Sequence, residues 1–480
     1  MKYRIEKIDL LVRETPPTRI ALALGKQALS GKLPPRAPNA LGYVRLILRN
    51  EQGKTAWGTS ADQLAMRWLD KRPNLAAEEK NRALVRLLQQ AREVYLQAPA
   101  FDSPFQKWHG DYQRIHEMGS AQKQEALTAQ FCSALLERAM VDAVCRLEGQ
   151  SLFQMVRQDR LGFRPAQVHP ELKGLDLRAH LPEKPVSRFQ LRHTIAQLDA
   201  LTIEDVPADR RLNDGQPENL KDCIDAYGVR CFKILLSGNV ERDLKRAARV
   251  WSLLPHDGDT LVTCDANEAY ADWQTFADFA ARLERDEPGL FQHLKYIEQP
   301  VPRALTLEPA SERWVRKVGE RVAIVIDEAD DHLDVFKRAV ALGYRGTANK
   351  NCKGFFKSLL NRALVVHFGT KGKQVLQTAE DLQNLPPVAL HQDFVTLSIL
   401  GIEQCQRNGY HYNHGLDMLS RRELPALLAA HADLYEKKGQ HGHWRIRAGQ
   451  VECGSLQCAG FGVCVEPDWE SMTPIERWLK

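Results

Sequence analysis

Three acidic residues carry the clearest chemical signal in the sequence, because each directly follows a short apolar run typical of a strand. Asp265 follows Leu-Val-Thr-Cys, Glu298 follows Tyr-Ile, and Asp327 follows Ala-Ile-Val-Ile. They recur about every 30 residues, the length of one β–α–β unit. Since the carboxyl ends of parallel barrel strands meet at one mouth, where active sites lie, we expect the three side chains to converge there.

Three carboxylates at one mouth repel each other unless a cation holds them together. Carboxylate oxygens are the ligands that Mg²⁺ prefers, and Mg²⁺ keeps further positions for water or substrate. Any one of these acids could instead be a helix N-cap, which is a common role directly after a strand. Their recurrence in consecutive units favours a metal site formed by Asp265, Glu298 and Asp327.

Lysines accompany the acids. Lys233 lies inside the apolar run Cys-Phe-Lys-Ile-Leu-Leu, so it must point into the barrel mouth or bury its charge at considerable cost. Lys350 ends another strand-like run and Lys353 follows it. A divalent cation disfavours the ammonium form of a nearby lysine, which lowers its pKa and lets it act as a base near neutrality. The alternative for Lys350 and Lys353 is a pair of surface lysines in a loop.

A repeated alternation of strands and helices would position these residues. Strand-like runs are predicted over 188–195, 230–236, 260–264, 294–297, 322–326 and 344–348. Helical patterns fit between them, for example at 240–254, 273–283 and 331–342. Repeated units of this kind indicate a parallel sheet covered on its faces, and their number favours a closed barrel over an open sheet.

The two ends of the chain have a different, mixed texture. Strand-like runs lie at 5–12, 43–49 and 55–58, and helical patterns follow at 77–96 and 122–147. The tail from about 421 is helical and then strand-like at 444–451 and 462–465. We therefore predict the α/β class, with a (β/α)-barrel (a modified TIM barrel) over 126–420. An α+β capping domain would be built from residues 1–125 and completed by 421–480.

Composition narrows the class of protein. The 480 residues carry 66 basic and 61 acidic side chains, a net charge of +5, without a basic run that would indicate a nucleic-acid partner. The charged N-terminus has no apolar leader, and no stretch of about 18 apolar residues occurs, so we expect a cytoplasmic protein with no membrane partner. Ten cysteines scattered over the chain are typical of reduced thiols rather than a disulfide framework.

Several motifs, in their order and spacing, resemble the mandelate racemase/muconate lactonizing enzyme branch of the enolase superfamily. They are Trp57-Gly58-Thr59, Phe232-Lys233-Ile234, Asp265-Ala266-Asn267, Glu298-Gln299-Pro300, Asp327-Glu328-Ala329, Asn349-Lys350-Asn351-Cys352-Lys353-Gly354 and Ala459-Gly460-Phe461-Gly462-Val463. Glu137 to Leu147 resembles the helix that leads into that family's barrel. No single motif is specific, but together they cover almost the whole chain.

The resemblance implies a mechanism. Mg²⁺ would bind the carboxylate of a small-molecule substrate, a base would remove the proton on the adjacent carbon, and the metal would stabilise the resulting enediolate. Lys350 matches the base, Lys233 matches a second catalytic lysine, and Asn267 and Lys353 would contact substrate. The favoured outcome is dehydration of an acid sugar. Racemisation or epimerisation, cycloisomerisation, and a catalytically lapsed binder stay open, because the fold does not choose among them. Family habit implies a homo-oligomer.

The sequence departs from the family at its second lysine. The family's Lys-x-Lys pair has Leu235 at its second position here, which leaves one base and favours elimination or cycloisomerisation over transfer of a proton between two faces. Histidines could supply the missing acid, since imidazole titrates near neutrality: His411 or His414 near the eighth unit, or His193, which ends the first-strand run and is also a candidate substrate ligand. A structural role is the alternative for each of them.

Two further assignments follow from the same comparison. Glu380 or Asp381, after the predicted seventh strand, could carry a proton, although a helix N-cap is the alternative. Substrate selection in the family belongs to the loops of the capping domain. These correspond here to 57–62 and to the basic loop 16–38, where Arg19 is a candidate substrate ligand and a solvated basic loop is the alternative.

Overall fold

The computed structural model describes residues 2–23, 25–34, 36, 38–413, 415–439 and 441–478. Its strands, numbered along the chain, are β1 (Tyr3–Pro17), β2 (Pro38–Asn50), β3 (Thr55–Gln63), β4 (Ala100–Phe101), β5 (Arg188–Ile195), β6 (Cys231–Leu235), β7 (Leu261–Asp265), β8 (Leu294–Glu298), β9 (Ala323–Ile326), β10 (Gly346–Asn349), β11 (Leu376–Ala379), β12 (Gln404–Arg407), β13 (Tyr435–Lys438), β14 (His441–Trp444), β15 (Gln450–Glu452) and β16 (Thr473–Pro474).

The helices alternate with these strands through most of the chain. They are α1 (Met66–Leu69), α2 (Ala77–Gln97), α3 (Pro104–Ala121), α4 (Ala126–Leu147), α5 (Leu152–Arg157), α6 (Leu220–Tyr227), α7 (Val240–Trp251), α8 (Trp273–Asp286), α9 (Pro288–His293), α10 (Arg303–Thr306), α11 (Glu312–Gly319), α12 (Val335–Leu342), α13 (Phe355–Thr370), α14 (Val388–Leu400), α15 (Gly409–Tyr412), α16 (Glu423–Ala430) and α17 (Ile475–Trp478).

A nearly closed parallel barrel forms the centre of the molecule. Within the described part of the chain, strands β5 to β12 pair in the order β11-β10-β9-β8-β7-β6-β5-β12, so the last strand returns to the first. Apart from the exposed Arg188 and Lys295, the barrel strands are buried or half-buried along their length, as expected for a parallel sheet covered by helices. The predicted barrel is confirmed, and its first six strands lie within two residues of their predicted limits.

The capping sheet is antiparallel and contains both ends of the described chain. Strands β1, β2 and β3 pair in sequence order, and β16 pairs with β1 through Leu11 opposite Pro474. The long buried helix α4 packs against this sheet and runs towards the barrel. Gly58 on β3 allows this packing, because a Cβ there would stand 2.2 Å from the carbonyl oxygen of Ala139.

The predicted strand at 462–465 is absent from the structure, where this described segment is irregular. The physical reason lies in Gly460 and Gly462, whose φ angles of +113° and +78° break an extended strand. Only an isolated bridge from Gly460 to Ser151 is formed.

No helix in the described ranges is long and apolar enough to cross a membrane.

Candidate active site at the barrel mouth

The three acids predicted from their strand-end positions lie side by side. Asp265 ends β7, Glu298 ends β8, and the parallel register sets these two residues opposite each other. Asp327 follows β9, the next strand in the sheet. All three side chains are buried, with at most 2% of each residue exposed. The spacing of about one β–α unit therefore places neighbouring carboxylates at one barrel mouth, as the sequence predicts.

The side chain of Lys233 is surrounded by polar groups, most of them carboxylates. Its Nζ, itself buried, lies close to four side-chain oxygens: Asp265 Oδ2 at 2.8 Å, Glu298 Oε2 at 2.7 Å, Glu380 Oε2 at 2.5 Å and Gln406 Oε1 at 2.9 Å. An ammonium group has three protons, so four acceptors saturate it. The charge buried in this apolar strand is thus neutralised by ion pairs, which offset the cost of its desolvation.

Glu380, which follows β11, joins this cluster to the opposite side of the barrel. Besides Lys233, its carboxylate accepts hydrogen bonds from Arg192, from Tyr296 Oη at 2.8 Å and from Thr378 Oγ1 at 3.0 Å. Arg192 and Lys233 hold the pKa of Glu380 below its usual range, although burial opposes them. The sequence signal for Glu380 is the same as for the three acids, since it also directly follows a strand.

Asp327 is held by two other lysines. Lys350 Nζ lies 2.8 Å from its Oδ2, and Lys353 Nζ lies 2.9 Å from its Oδ1. Lys353 also donates to the backbone oxygens of Asp327 at 2.7 Å and Ala348 at 3.1 Å. Lys350 instead faces the ring of Trp68, with Nζ 4.5 Å from the ring centroid. Lys353 is therefore bound on several sides, whereas Lys350 has one ion pair and one aromatic contact in the described chain.

The electrostatics of these groups follow from burial and charge. Burial, reinforced by Asp265 and Glu380, raises the pKa of Glu298 well above its usual value. For Asp327, burial acts in the same direction, but Lys350 and Lys353 outweigh it and hold its pKa below the usual range. The pKa of Lys350 is raised, because Asp327 and Glu298 outweigh the opposing effect of burial. The direction for Lys350 in this structure is thus opposite to the lowering expected beside a divalent cation.

The capping domain closes the mouth with residues that sequence reasoning did not select. Lys71, after α1, lies 2.5 Å from Glu268 Oε2 and 3.2 Å from Glu328 Oε1, and both acids belong to barrel loops. Arg303 on α10 donates to Glu268 and to the backbone oxygen of Trp68 at 3.1 Å. These ion pairs and the hydrogen bond to Trp68 hold the cap segment in the position where the Trp68 ring contacts Lys350. In the sequence, Lys71 and Arg303 are marked only by their charge, and charged residues on the solvated surface have the same mark.

The two histidines lie away from this cluster. Side chains alternate along a strand, and Arg192 and Thr194 both point into the barrel, where they bond Glu380 and Gln406. His193 between them therefore points outwards, and its Nδ1 bonds Tyr410 Oη. The ring of His411 lies 4.3 Å from that of His193, centroid to centroid, so it shares the outer position. The other candidate, His414, lies outside the described residues.

The remaining candidate side chains serve other groups in this structure. Asn267 donates to Asp265 from its backbone N and its Nδ2, both at 2.8 Å, which orients that carboxylate. Arg19 is buried and makes a bidentate ion pair with Asp214, at 2.5 and 2.9 Å. It also donates to the backbone oxygens of Gln216 and Pro217, both at 2.7 Å. Arg19 thus ties the cap loop to the barrel.

The donor set suits Mg²⁺ in kind. Three hard carboxylates come from adjacent strands, and Glu298 Oε1 is buried without a hydrogen-bond partner among the described residues. The arrangement places ammonium groups against these donors, however. In the part of the chain that the structure describes, no three Asp, Glu, His or Cys side chains are arranged to hold a metal ion. A cation at Asp265 and Glu298 would compete with Lys233.

Fold and site together define a class: a parallel (β/α)-barrel with an antiparallel cap, whose strand ends carry a mixed carboxylate–lysine cluster. No protein-family model matches the sequence, and no curated protein matches it significantly. Solved structures do match.

A mandelate racemase/muconate lactonizing enzyme from Bordetella bronchiseptica RB50 has a TM-score of 0.59 at 17% identity, with 98% of this chain and 99% of that chain covered. An isomerase from Streptomyces coelicolor A3(2) has a TM-score of 0.59 at 12% identity, with 99% of each chain covered. A racemase from the same organism, solved with bound magnesium, has a TM-score of 0.57 at 14% identity, with 97% of this chain and 98% of that chain covered. The resemblance predicted from the motifs is therefore confirmed in the fold.

Proposed function

We propose that the protein is a Mg²⁺-dependent enzyme of the mandelate racemase/muconate lactonizing enzyme branch that removes the proton next to a substrate carboxylate. The observation that carries the proposal is the set of acids that end or directly follow three successive barrel strands, with Lys350 directly after the next strand. Carboxylates and a lysine at one buried mouth can hold a cation and a base within reach of a single substrate. The solved structures of the same fold support this class.

Asp265, Glu298 and Asp327 would hold the metal, which would supply positive charge to stabilise the negative charge that develops on the substrate. Lys350 is the proposed base, because it follows β10 on the side of the mouth next to Asp327 and has few partners. Lys353 fixes Asp327 from its other oxygen. The cap residue Trp68 covers Lys350 and would exclude water from the reacting carbon.

Leu235 bears on the outcome of the reaction. It shares the inward face of β6 with Lys233, because side chains two residues apart point the same way, and it pairs with Asp265 at the mouth. The position opposite Lys350 is thus apolar. Since racemisation needs a proton donor on the second face of the substrate carbon, the proposal favours elimination of water from an acid sugar. Racemisation, epimerisation and cycloisomerisation are the alternatives of the same chemistry.

A binder without turnover is the second candidate, and the saturated Lys233 cluster favours it. If Lys233 permanently neutralises Asp265 and Glu298, the mouth is stable without an added ion and has no need of one. Calorimetric titration with Mg²⁺ tests the metal site that the enzyme requires. Heat of binding that is lost in Asp265→Asn is expected for the enzyme and for a binder of metal, whereas the absence of binding in the wild-type protein contradicts the enzyme.

Proton exchange tests the chemistry directly. The protein is incubated with Mg²⁺ in D₂O and a panel of acid sugars and other carboxylates, and deuterium at the carbon next to the carboxylate is followed by NMR. We expect exchange that stops on addition of a chelator and resumes when Mg²⁺ is restored. Exchange by wild type that Lys350→Met abolishes identifies the base. Mg²⁺ binding without exchange across the panel supports the binder.

A homo-oligomer also remains part of the proposal, by analogy with the family rather than from any interface in this chain. Sedimentation velocity would test it, since a monomer of 54.5 kDa and a multiple of that mass are readily distinguished.

A further inference from the structure

A second cluster of reactive groups lies in the C-terminal segment and shares no residue with the cluster at the barrel mouth. Cys464 is exposed, and its Sγ lies 3.2 Å from Nε2 of the buried His431. Nδ1 of His431 lies 2.8 Å from Ser455 Oγ, and Ser455 Oγ lies 2.5 Å from Asp433 Oδ1. A thiol, an imidazole, a hydroxyl and a carboxylate thus form one connected chain.

The directions of these hydrogen bonds determine the tautomer of His431. Ser455 has a single hydroxyl proton, and the carboxylate of Asp433 can only accept it. The proton between His431 and Ser455 therefore belongs to Nδ1, which leaves the lone pair of Nε2 facing the Cys464 thiol. A base in this orientation can take the thiol proton, which is how paired histidines activate cysteines.

Cys458 provides a second thiol next to the first. Its influence, followed by that of His431 at 3.2 Å, holds the pKa of Cys464 well below its usual range against the effect of burial. The pKa of Cys458 is raised by Cys464 and by burial. Arg146 and Asp142 also act on the Cys458 thiol, and the ring of His391 lies 4.6 Å from that of His431, centroid to centroid.

The backbone between the two cysteines is built to bring them together. Gly460 and Gly462 have positive φ, which turns the chain within five intervening residues. Neither glycine tolerates a side chain, because a Cβ would stand 2.7 Å from Asp142 Oδ1 and 2.8 Å from Val395 Cγ2 respectively. The turn is also fixed at Phe461, whose N donates to Asp142 Oδ1 at 2.6 Å. The path of the chain between Cys458 and Cys464 is therefore fixed by packed structure.

We propose that Cys464 is a peroxide-reactive cysteine, activated by His431 and resolved by Cys458 into a reversible disulfide. Nε2 of His431 takes the Cys464 proton, and the thiolate attacks one oxygen of hydrogen peroxide. The O–O bond breaks, the departing hydroxide leaves as water with the proton from His431, and Cys464 becomes a sulfenic acid. The Cys458 sulfur then attacks the Cys464 sulfur, the S–O bond breaks, and a second water carries away the Cys458 proton. The two thiols lose two electrons and the peroxide gains them.

The pH dependence of alkylation tests the activation. The full-length protein is pulsed with limiting iodoacetamide, and the label on each cysteine is measured by peptide mass spectrometry, with glutathione as the free-thiol reference. We expect the Cys464 rate to be nearly constant from about pH 5 to 8, whereas an ordinary thiol gains about tenfold per pH unit in that range. Buried Cys453 is the internal control and should stay unlabelled. A Cys464 profile that follows glutathione overturns the proposal.

Peroxide treatment tests the second step. We expect a Cys458–Cys464 disulfide peptide that a dithiol reductant reverses, and in Cys458→Ser a Cys464 sulfenic acid that dimedone traps. His431→Gln should restore an ordinary pH profile; should that variant not fold, Ser455→Ala should shift the profile in the same direction by a smaller amount. Peroxide that yields no such disulfide, or equal overoxidation of Cys464 in wild type and Cys458→Ser, overturns the proposal.

Discussion

The buried lysines on the two sides of the barrel mouth differ in the number of groups that they contact. Lys233 on β6 is enclosed by four oxygen acceptors, whereas Lys350 after β10 has one carboxylate and the face of an indole. A lysine whose protons are all taken up stabilises its neighbours and has little freedom to exchange a proton. A lysine with one ion pair under an aromatic cover can turn towards a substrate. The residue type alone does not separate these roles; the number of partners does.

The largest expected effect is on the Lys350 side. Lys350→Met should lower the rate of deuterium exchange by about 10³-fold, since a positioned base contributes about 10²–10⁴-fold. The fold should persist, because Asp327 keeps its ion pair with Lys353 at 2.9 Å. NMR exchange rates and circular dichroism of the same samples measure both. Wild-type rates in this variant would remove Lys350 from the mechanism.

The matching substitution of Lys233 should lower the free energy of unfolding rather than the rate of exchange. Lys233→Met leaves Asp265, Glu298 and Glu380 close together without their common ammonium, and breaking a buried ion pair costs about 3–5 kcal/mol. Urea denaturation with and without Mg²⁺ measures this. Mg²⁺ should stabilise the variant more than wild type, because Lys233 no longer competes for the carboxylates. Equal stabilisation of both proteins would argue against that competition.

Glu380→Gln should have a smaller effect on the same cluster. The amide keeps the shape and one acceptor but removes the charge that pairs with Lys233 and Arg192, so we expect a loss of about 1–3 kcal/mol. Lys233 retains Asp265 and Glu298, which limits the damage. The unfolding free energies of this variant and of Lys233→Met are compared. A loss as large as that of Lys233→Met would mean that Glu380, rather than Asp265 and Glu298, sets the stability of the cluster.

The sequence predicted the framework of this mouth well, because the framework depends on local patterns. Apolar runs of strand length marked the barrel, and the acid directly after each of three runs marked its mouth. What it could not supply was the pairing. Lys233 pairs with Glu380, which is 147 residues away in sequence, and no local pattern predicts that ion pair. The ion pair between Lys71 of the cap and Glu268 of the barrel is likewise invisible to sequence periodicity. The outward position of His193 follows only once the inward partners of Arg192 and Thr194 are known.

That outward position gives the smallest expected effect, and it separates a structural histidine from a catalytic one. Burial lowers the pKa of His193 to about 3 from 6.5. The unfolded chain therefore binds a proton below about pH 6.5 that the folded chain does not bind, so His193 makes the protein lose stability as the pH falls from about 6.5 towards 3. His193→Gln has no such proton to bind and should show a shallower loss of stability over that window, measured by urea denaturation at a series of pH values. Its rate of proton exchange should match wild type at pH 7, because the ring faces away from Lys350 and Asp327. A fall in exchange comparable to that of Lys350→Met would instead make His193 part of the reaction.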